Sequence, residues 1–579
     1  MLRLRVLPIF LGLLLAFPSI LFAQEQAAET SENEAAIKQG LELLDAIAES
    51  IPSLRSADNR IYLSLSVADL LWTSDEKRAR LLFETLTKEV SAQMANLNPN
   101  DQRSINTLGF VQQQRREIID RMAHRDPEMA LVFLRSTRPP AGIRRRGNQY
   151  GNEGNIELHL ASMIAQKDPD QAVKIARASL RNGISYAAVS VLHNLFSKNP
   201  DTARSLHTEI IDKLKGLDLV TDYEASNAAW NLIGSFQPPQ ATEETYRTLV
   251  ELMATTILAV KPDARAGNSF VQNSAGQFSS YRAQFEKYAP AQTAALKQWT
   301  KQLARTQDLG STLYQEMSEI TQKGTVEDLL ALTGKYSKEH HAQIYQQAAQ
   351  KAIMNGDAAR ARQIITEFIA DVDQRRQILE QLDNQLFWNS VNGNKFADAL
   401  QVLERVKAPE QRFQLLIAMA QNVMNRGEKK QAASLLAEAR TLLDDLPRNA
   451  QKMAAQMQLA QSYAPVDSQQ SVVLIHSVIV LINQLVEAAA VLDGFENQYL
   501  NQGEWMKRNH TGLGNVVNSI GQNLGALARV NVDEARSLSN QLERPEIRLM
   551  AQLEIAQSLL TNGNGRHSNF RRLSVIGRH

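Results

Sequence analysis

The chain has 579 residues, 44% hydrophobic and 22% charged, with a formal net charge of +1. A balance this close to neutral excludes the basic footprint that nucleic acid or an anionic membrane attracts. Cysteine is absent, which excludes disulfides, thiolate metal sites, cysteine nucleophiles and the lipid-bearing cysteine of a bacterial lipoprotein, so a fold of this size must stand on its core.

The first residues, MLRLRVLPIFLGLLLAFPSILFA, carry Arg3 and Arg5, an apolar run from Val6 to Phe17, a breaker at Pro18 and a small residue at Ala23. That is the order of parts in a secretory signal peptide, with cleavage expected between Ala23 and Gln24. Pro8, Gly12 and Pro18 interrupt the run, and a membrane span needs about 20 apolar residues in a row. The expected location is therefore exported, periplasmic or secreted. Losing Arg3 and Arg5 with the leader takes the net charge from +1 to −1.

From Ser31 to Thr561 apolar residues recur at three- and four-residue spacing, and Ala, Leu, Gln, Glu, Lys and Arg dominate. LLFETLTKEV, the alternation near Ile156 and VVLIHSVIV resemble strands locally, but each lies inside a longer helical pattern. A motif recurs as HRDPEMALVFLRS, QKDPDQAVKIARASL and SKNPDTARSLHTE. Asp126, Asp168 and Asn199 suit the N-cap, where a side-chain oxygen accepts from free backbone amides. Pro127, Pro169 and Pro200 suit the first helical position, where a missing N–H costs nothing. Ala130, Ala172 and Ala203 leave room for a neighbouring helix, and Val132, Phe133, Val173, Ile175 and Leu206 are the expected buried stripe. The prolines stand 42 and 31 residues apart, about one helix pair, the interval of a helical solenoid.

Between these repeats and the next, AGIRRRGNQYGNEGN (Ala141 to Asn155), SFQPPQATEE near Pro238 and AGNSFVQNSAGQFSS (Ala266 to Ser280) break the helical pattern. Arg144, Arg145 and Arg146 would grip an acidic partner or a phosphate-bearing glycan with forked guanidinium donors; the alternative is a solvated basic loop. A further break at QKGTVEDLL near Gly324 separates two repeat series.

Gly356, Gly393 and Gly427, 37 and 34 residues apart, each separate one expected helix from the next. Around Gly427 the chain resembles the tetratricopeptide repeat: Ala420 at the small position of the first helix, Gly427 in the turn, then Ala432, Leu436 and Ala439 on the second. The unit at Gly356 keeps Ala349, Ala361 and Ile365 but has Phe368 where a small residue belongs, and at Gly393 the alanine comes one place late, at Ala399. The resemblance covers residues 342–447, under a fifth of the chain, and implies a superhelix whose concave face binds peptides or proteins.

The longest apolar stretch after the leader, Ser471 to Leu492, is interrupted by His476, Asn483, Gln484 and Glu487 and reads as a buried central helix, with His476 a satisfied core residue. FENQYLNQGEWMKRNH follows and offers Phe495, Tyr499 and Trp505, the best candidate cluster for stacking on sugar rings, but Phe495 and Tyr499 are four apart on one helical face, a spacing that favours core packing.

Other chemistry is missing its parts. TGKYS at Gly334 lacks the preceding glycine and the hydroxyl of a phosphate loop, HTGLGNVV has Val517 where a third small residue belongs, and neither a G-x-S-x-G elbow nor an H-E-x-x-H helix occurs. Adjacent His340 and His341 point to different sides of a helix and read as surface residues. Two carboxylates 5 to 10 Å apart, as glycoside hydrolysis needs, leave no sequence signature.

The expected fold class is all-α, an α-α superhelix (solenoid) of diverged helix-turn-helix repeats. The expected divisions are 1–23 signal peptide, 24–33 polar linker, 34–323 N-terminal helical repeat region, 324–562 C-terminal tetratricopeptide-like repeat region and 563–579 basic tail. The expected function is that of an exported scaffold or adaptor binding proteins or peptides in the cell envelope, with no catalytic residue, cofactor, metal, nucleic acid or transmembrane segment after cleavage. The rival is a cell-envelope enzyme acting on polysaccharide or peptidoglycan, built on paired helices around clustered acids and aromatics.

Overall fold

A computed structural model of the chain describes residues 17–98, 102–138, 153–181, 184, 187–262, 269–306, 309–447, 449–496, 499–507 and 512–562. Among them are 27 α-helices and one two-stranded hairpin, Leu500–Asn501 against Glu504–Trp505. The fold is all-α, and the stretches with local strand character are helical. Residues 24–33, expected as a polar linker, lie inside one helix, Phe17–Ser50. Arg144, Arg145, Arg146 and the basic tail lie outside the described residues. The chain forms two compact units, one of residues 90–369 and one joining residues up to Glu89 with those from Ala370 onward. Gly324, the expected break, lies within the 90–369 unit, just before the Val326–Ala331 helix, where Thr325 and Asp328 form a reciprocal capping box.

In the 90–369 unit, each recurrent Asp/Asn-Pro motif starts a helix. Asp126 accepts from the Glu128 and Met129 amides at 3.1 and 3.0 Å, Asp168 from Gln171 at 2.9 Å, and Asn199 from Thr202 at 3.2 Å. The prolines take the first helical turn of Pro127–Ser136, Pro169–Leu180 and Pro200–Lys215. Ala130, Ala172 and Ala203 are fully buried, as are Phe133 and Leu206 within a few per cent. Val132 is 65% exposed, contrary to expectation. Its helix buries Pro127, Ala130, Leu131, Phe133 and Leu134, and at 100° per residue position 132 falls opposite that stripe. Helix Glu153–Ile164 packs on both Pro169–Leu180 and Ala187–Phe196, and the latter packs on Pro200–Lys215. This nearest-neighbour packing is how a helical solenoid buries its faces.

The other unit holds one continuous apolar core, from Leu43, Leu44 and Ile47 near the start of the chain to Ile555 and Leu559 near its end. Helix Phe17–Ser50 packs along Pro545–Asn562, so the first and last described helices meet within this unit. Ser468–Phe495, nearly the whole of helix Ser468–Glu496, is long and apolar enough to cross a membrane by length and composition, with mean hydropathy 1.9 over an 18-residue stretch. Its Ile475, Val478, Ile479, Ile482, Val486 and Ala489 are buried in the core, where it packs on Ala450–Tyr463, Gly512–Ala528 and Val532–Asn540. His476 is exposed and not in the core; its Nδ1 pairs with Gln541 Oε1 at 2.8 Å.

Candidate functional site

The hairpin is the least helical feature of the described chain, and its position explains it. Gln502 and Gly503 have φ of 53° and 79°, the pair of left-handed conformations that a tight two-residue β-turn demands. The turn places Glu504 against the start of helix Ala57–Leu71, whose first amides have no helical partner. Glu504 accepts from the amides of Arg55 and Ser56 at 2.7 and 3.0 Å and from the Asn59 side chain at 3.2 Å. On the other side the Trp505 amide donates to the buried Glu546 carboxylate at 2.8 Å. Asn59 also donates to the Trp505 carbonyl at 3.0 Å. Two buried carboxylates thus tie residues 55–59 to residues 504–546.

Beside this tie lies a cleft of about 460 Å³, walled by residues 53–55, the 483–487 part of helix Ser468–Glu496, the hairpin tip and residues 542–547. Its walls are fixed from within. Asn483 donates to the Gln541 carbonyl at 2.8 Å and accepts from the Glu543 amide at 3.3 Å. Arg544 donates to the Gly503 carbonyl at 3.0 Å and pairs with Glu546 at 3.3 Å. What remains for a ligand is the exposed Arg55 guanidinium near Gly503 and the exposed carboxylates of Glu487 and Glu543, whose side chains pair with none of the described residues.

Such a cleft offers a forked donor and two acceptors on preformed backbone. Among the described residues no three His, Cys, Asp or Glu side chains converge as metal ligands. The aromatic trio of the sequence is not brought together on its wall. Trp505 is fully buried, Tyr499 stacks on it at 6.4 Å between ring centroids, and Phe495 is 86% exposed near the end of the 468–496 helix. The expected helical pairing of Phe495 with Tyr499 fails because that helix ends at Glu496. Glycoside chemistry would find free acids here but no ring to stack a sugar on, and Glu504 is fully engaged in the fold. Residues Arg55, Glu487, Glu543 and Arg544 carried no sequence signal, since they are scattered over about five hundred positions and no motif joins them.

Fold and cleft together define an all-α helical-repeat protein. No protein-family model matches the chain, and no curated protein matches it. Among solved structures it is similar to a circular tandem repeat protein with novel repeat topology and enhanced subunit contact surfaces, at 14% identity over 92% of this chain and 100% of that one, with a TM-score of 0.14. It is also similar to a chain of the structure of Naa15/Naa10 bound to HypK-THB, at 13% identity over 93% of this chain and 95% of that one, with a TM-score of 0.19. At these scores the fold class rests on the chain's own helices and their packing.

Proposed function

We propose that this protein is an exported helical-repeat scaffold or adaptor that binds a protein or peptide segment non-covalently in the cell envelope. The observation that carries the reading is the cleft of about 460 Å³, whose lining includes the exposed Arg55, Glu487 and Glu543. That volume takes a few side chains of an extended segment. Mixed charge on one rigid surface selects a polypeptide carrying both signs, and the anchored walls keep the ordering cost of docking low. The tetratricopeptide-like units at residues 342–447 are consistent with the same use of paired helices. Export rests on the leader-like residues up to Ala23.

Crosslinking in intact cells, with a photoreactive amino acid at Ser53 on the cleft wall, tests the reading. A discrete protein partner is expected with the wild-type cleft and should be lost from the double variant Glu487→Lys, Glu543→Lys. Recovery of the same proteins from both would sink it. N-terminal sequencing of the exported product should begin at Gln24; an intact leader on the mature protein would remove the envelope assignment.

A further inference from the structure

The cleft has a sign. Its walls carry four carboxylates, Glu487, Glu504, Glu543 and Glu546, against two guanidiniums, Arg55 and Arg544, a net −2 on a chain whose total is +1. A cleft lined mostly by one charge focuses the field between its low-dielectric walls and draws in the opposite ion.

Which of these charges are already answered decides what the cleft selects. Arg544 pairs with the buried Glu546 at 3.3 Å and donates also to the Gly503 carbonyl. Arg548, one turn further along the same helix, spends its fork on the carbonyls of Leu542 and Glu543, at 2.9 and 3.2 Å, so neither arginine is turned to the Glu543 carboxylate. Glu504 is 8% exposed, yet its donors are the Arg55 and Ser56 amides and the Asn59 side chain, all neutral, and it forms no ion pair with any described residue. Glu487 and Glu543 are exposed and have no partner among the described residues.

The two free carboxylates spring from backbone that is tied together. Asn483 accepts from the Glu543 amide at 3.3 Å, and Glu487 stands four residues on from Asn483, one turn along the same helical face. Like charges held in this way repel each other, and a cation seated with them relieves both. We propose that the anchor of the partner segment is a basic side chain, lysine or arginine, taken by Glu487 and Glu543, with Arg55 left to meet an acidic group of the same segment. This rests on the peptide reading of the cleft and names the residue the cleft selects. A nucleic acid, a phosphorylated segment or an anionic lipid would bring its charge against the net −2 and leave both glutamates unanswered. Charge-assisted bonds from an ammonium or a guanidinium are the strong ones that such a pair can accept.

Phage-displayed random heptapeptides, panned on the mature chain, test the proposal. Enriched sequences should carry Lys or Arg at one aligned position, and panning on the double variant Glu487→Gln, Glu543→Gln should not yield them. Panning on Glu487→Lys, Glu543→Lys should put Asp or Glu at that position, a reversal of preference that a misfolded cleft would not give. In fluorescence anisotropy the best labelled peptide should bind at least tenfold more weakly when its basic residue becomes Gln, and equally so to the double Gln variant. Its affinity should fall as salt rises. Panning that enriches nothing, or sequences with no basic position, overturns the proposal. So does binding that survives the double Gln variant and is lost in Arg55→Gln, which would make an anion the anchor. The crosslink from Ser53 decides the peptide reading separately: a charge-dependent partner there, with no basic position among the panned sequences, sinks this proposal alone.

Discussion

At the residue scale, His207 combines burial with an incomplete set of partners. It is fully buried in helix Pro200–Lys215, its ring 4.9 Å from that of Phe236 and its Nδ1 3.5 Å from Thr245 Oγ1, while Nε2 has no partner. Burial without a counter-charge pushes its pKa down from 6.5 to about 4. The unfolded chain, titrating at 6.5, therefore binds a proton that the folded chain refuses between these values. Stability from the neutral ring is complete above pH 6.5, is lost as pH falls towards 4 and changes no further below that, by at most about 3 kcal/mol. Urea titrations at pH 7 and pH 4.5 should show a larger loss for the wild type than for His207→Leu. Equal losses in both would place the acid sensitivity elsewhere.

At the scale of elements, the irregular repeat around Gly393 resolves into a regular one. Gly356 and Gly427 have φ of 81° and 80°, but at the middle unit the left-handed residue is Asn394, at 63°. Counted from the left-handed residue, the buried alanine is always five positions on: Ala361, Ala399 and Ala432. In all three, the next amide reaches back five residues, Asp357 to Ala352 at 2.9 Å, Lys395 to Ser390 at 2.8 Å and Glu428 to Val423 at 3.3 Å, the closing bond of a helix C-terminus. Sequence reading aligned the glycines and so found Ala399 late; the physical register follows backbone conformation, and asparagine tolerates it. Phe368, out of place by the family pattern, lies half-exposed and stacks on Tyr345 at 5.1 Å. Helix starts and turns were legible because cap and amide lie within a few residues of each other.

Two glycines at this scale matter for different reasons. A Cβ at Gly427 would meet nothing within 4 Å, so Gly427→Ala should cost only the left-handed backbone penalty, about 1 kcal/mol. A Cβ at Gly525 would lie 2.9 Å from the Glu554 carbonyl, where helices Gly512–Ala528 and Pro545–Asn562 press together and Ser558 donates to the Gly525 carbonyl. Gly525→Ala must force these backbones apart, at about 1–3 kcal/mol. Asparagine at the two positions separates the causes in a denaturant melt. Gly427→Asn should recover part of the alanine loss, and Gly525→Asn should deepen it.

At the scale of the whole molecule, the unit that joins both ends of the chain depends on contacts no local pattern announces. Arg55 and Glu504 are 449 residues apart, yet the carboxylate is the partner of that backbone amide. The sequence placed Glu504 beside Trp505 in an aromatic cluster, and nothing within reach of it pointed to residues 55–59, which is why cleft and tie stayed hidden while the helical class was plain. Leaving buried amides without an acceptor costs about 1–3 kcal/mol each, and Glu504→Ala strips the acceptor from two backbone amides and from one of the Asn59 bonds. Helices Ala57–Leu71 and Pro545–Asn562 should then lose hydrogen-exchange protection together, although they stand at opposite ends of the sequence, because Trp505 and Glu546 continue the same tie. Glu504→Gln keeps one acceptor oxygen and should fall between. Protection lost in Ala57–Leu71 alone would mean that the hairpin caps one helix without joining the two ends, and the closure would then rest on the packing of Phe17–Ser50 along Pro545–Asn562.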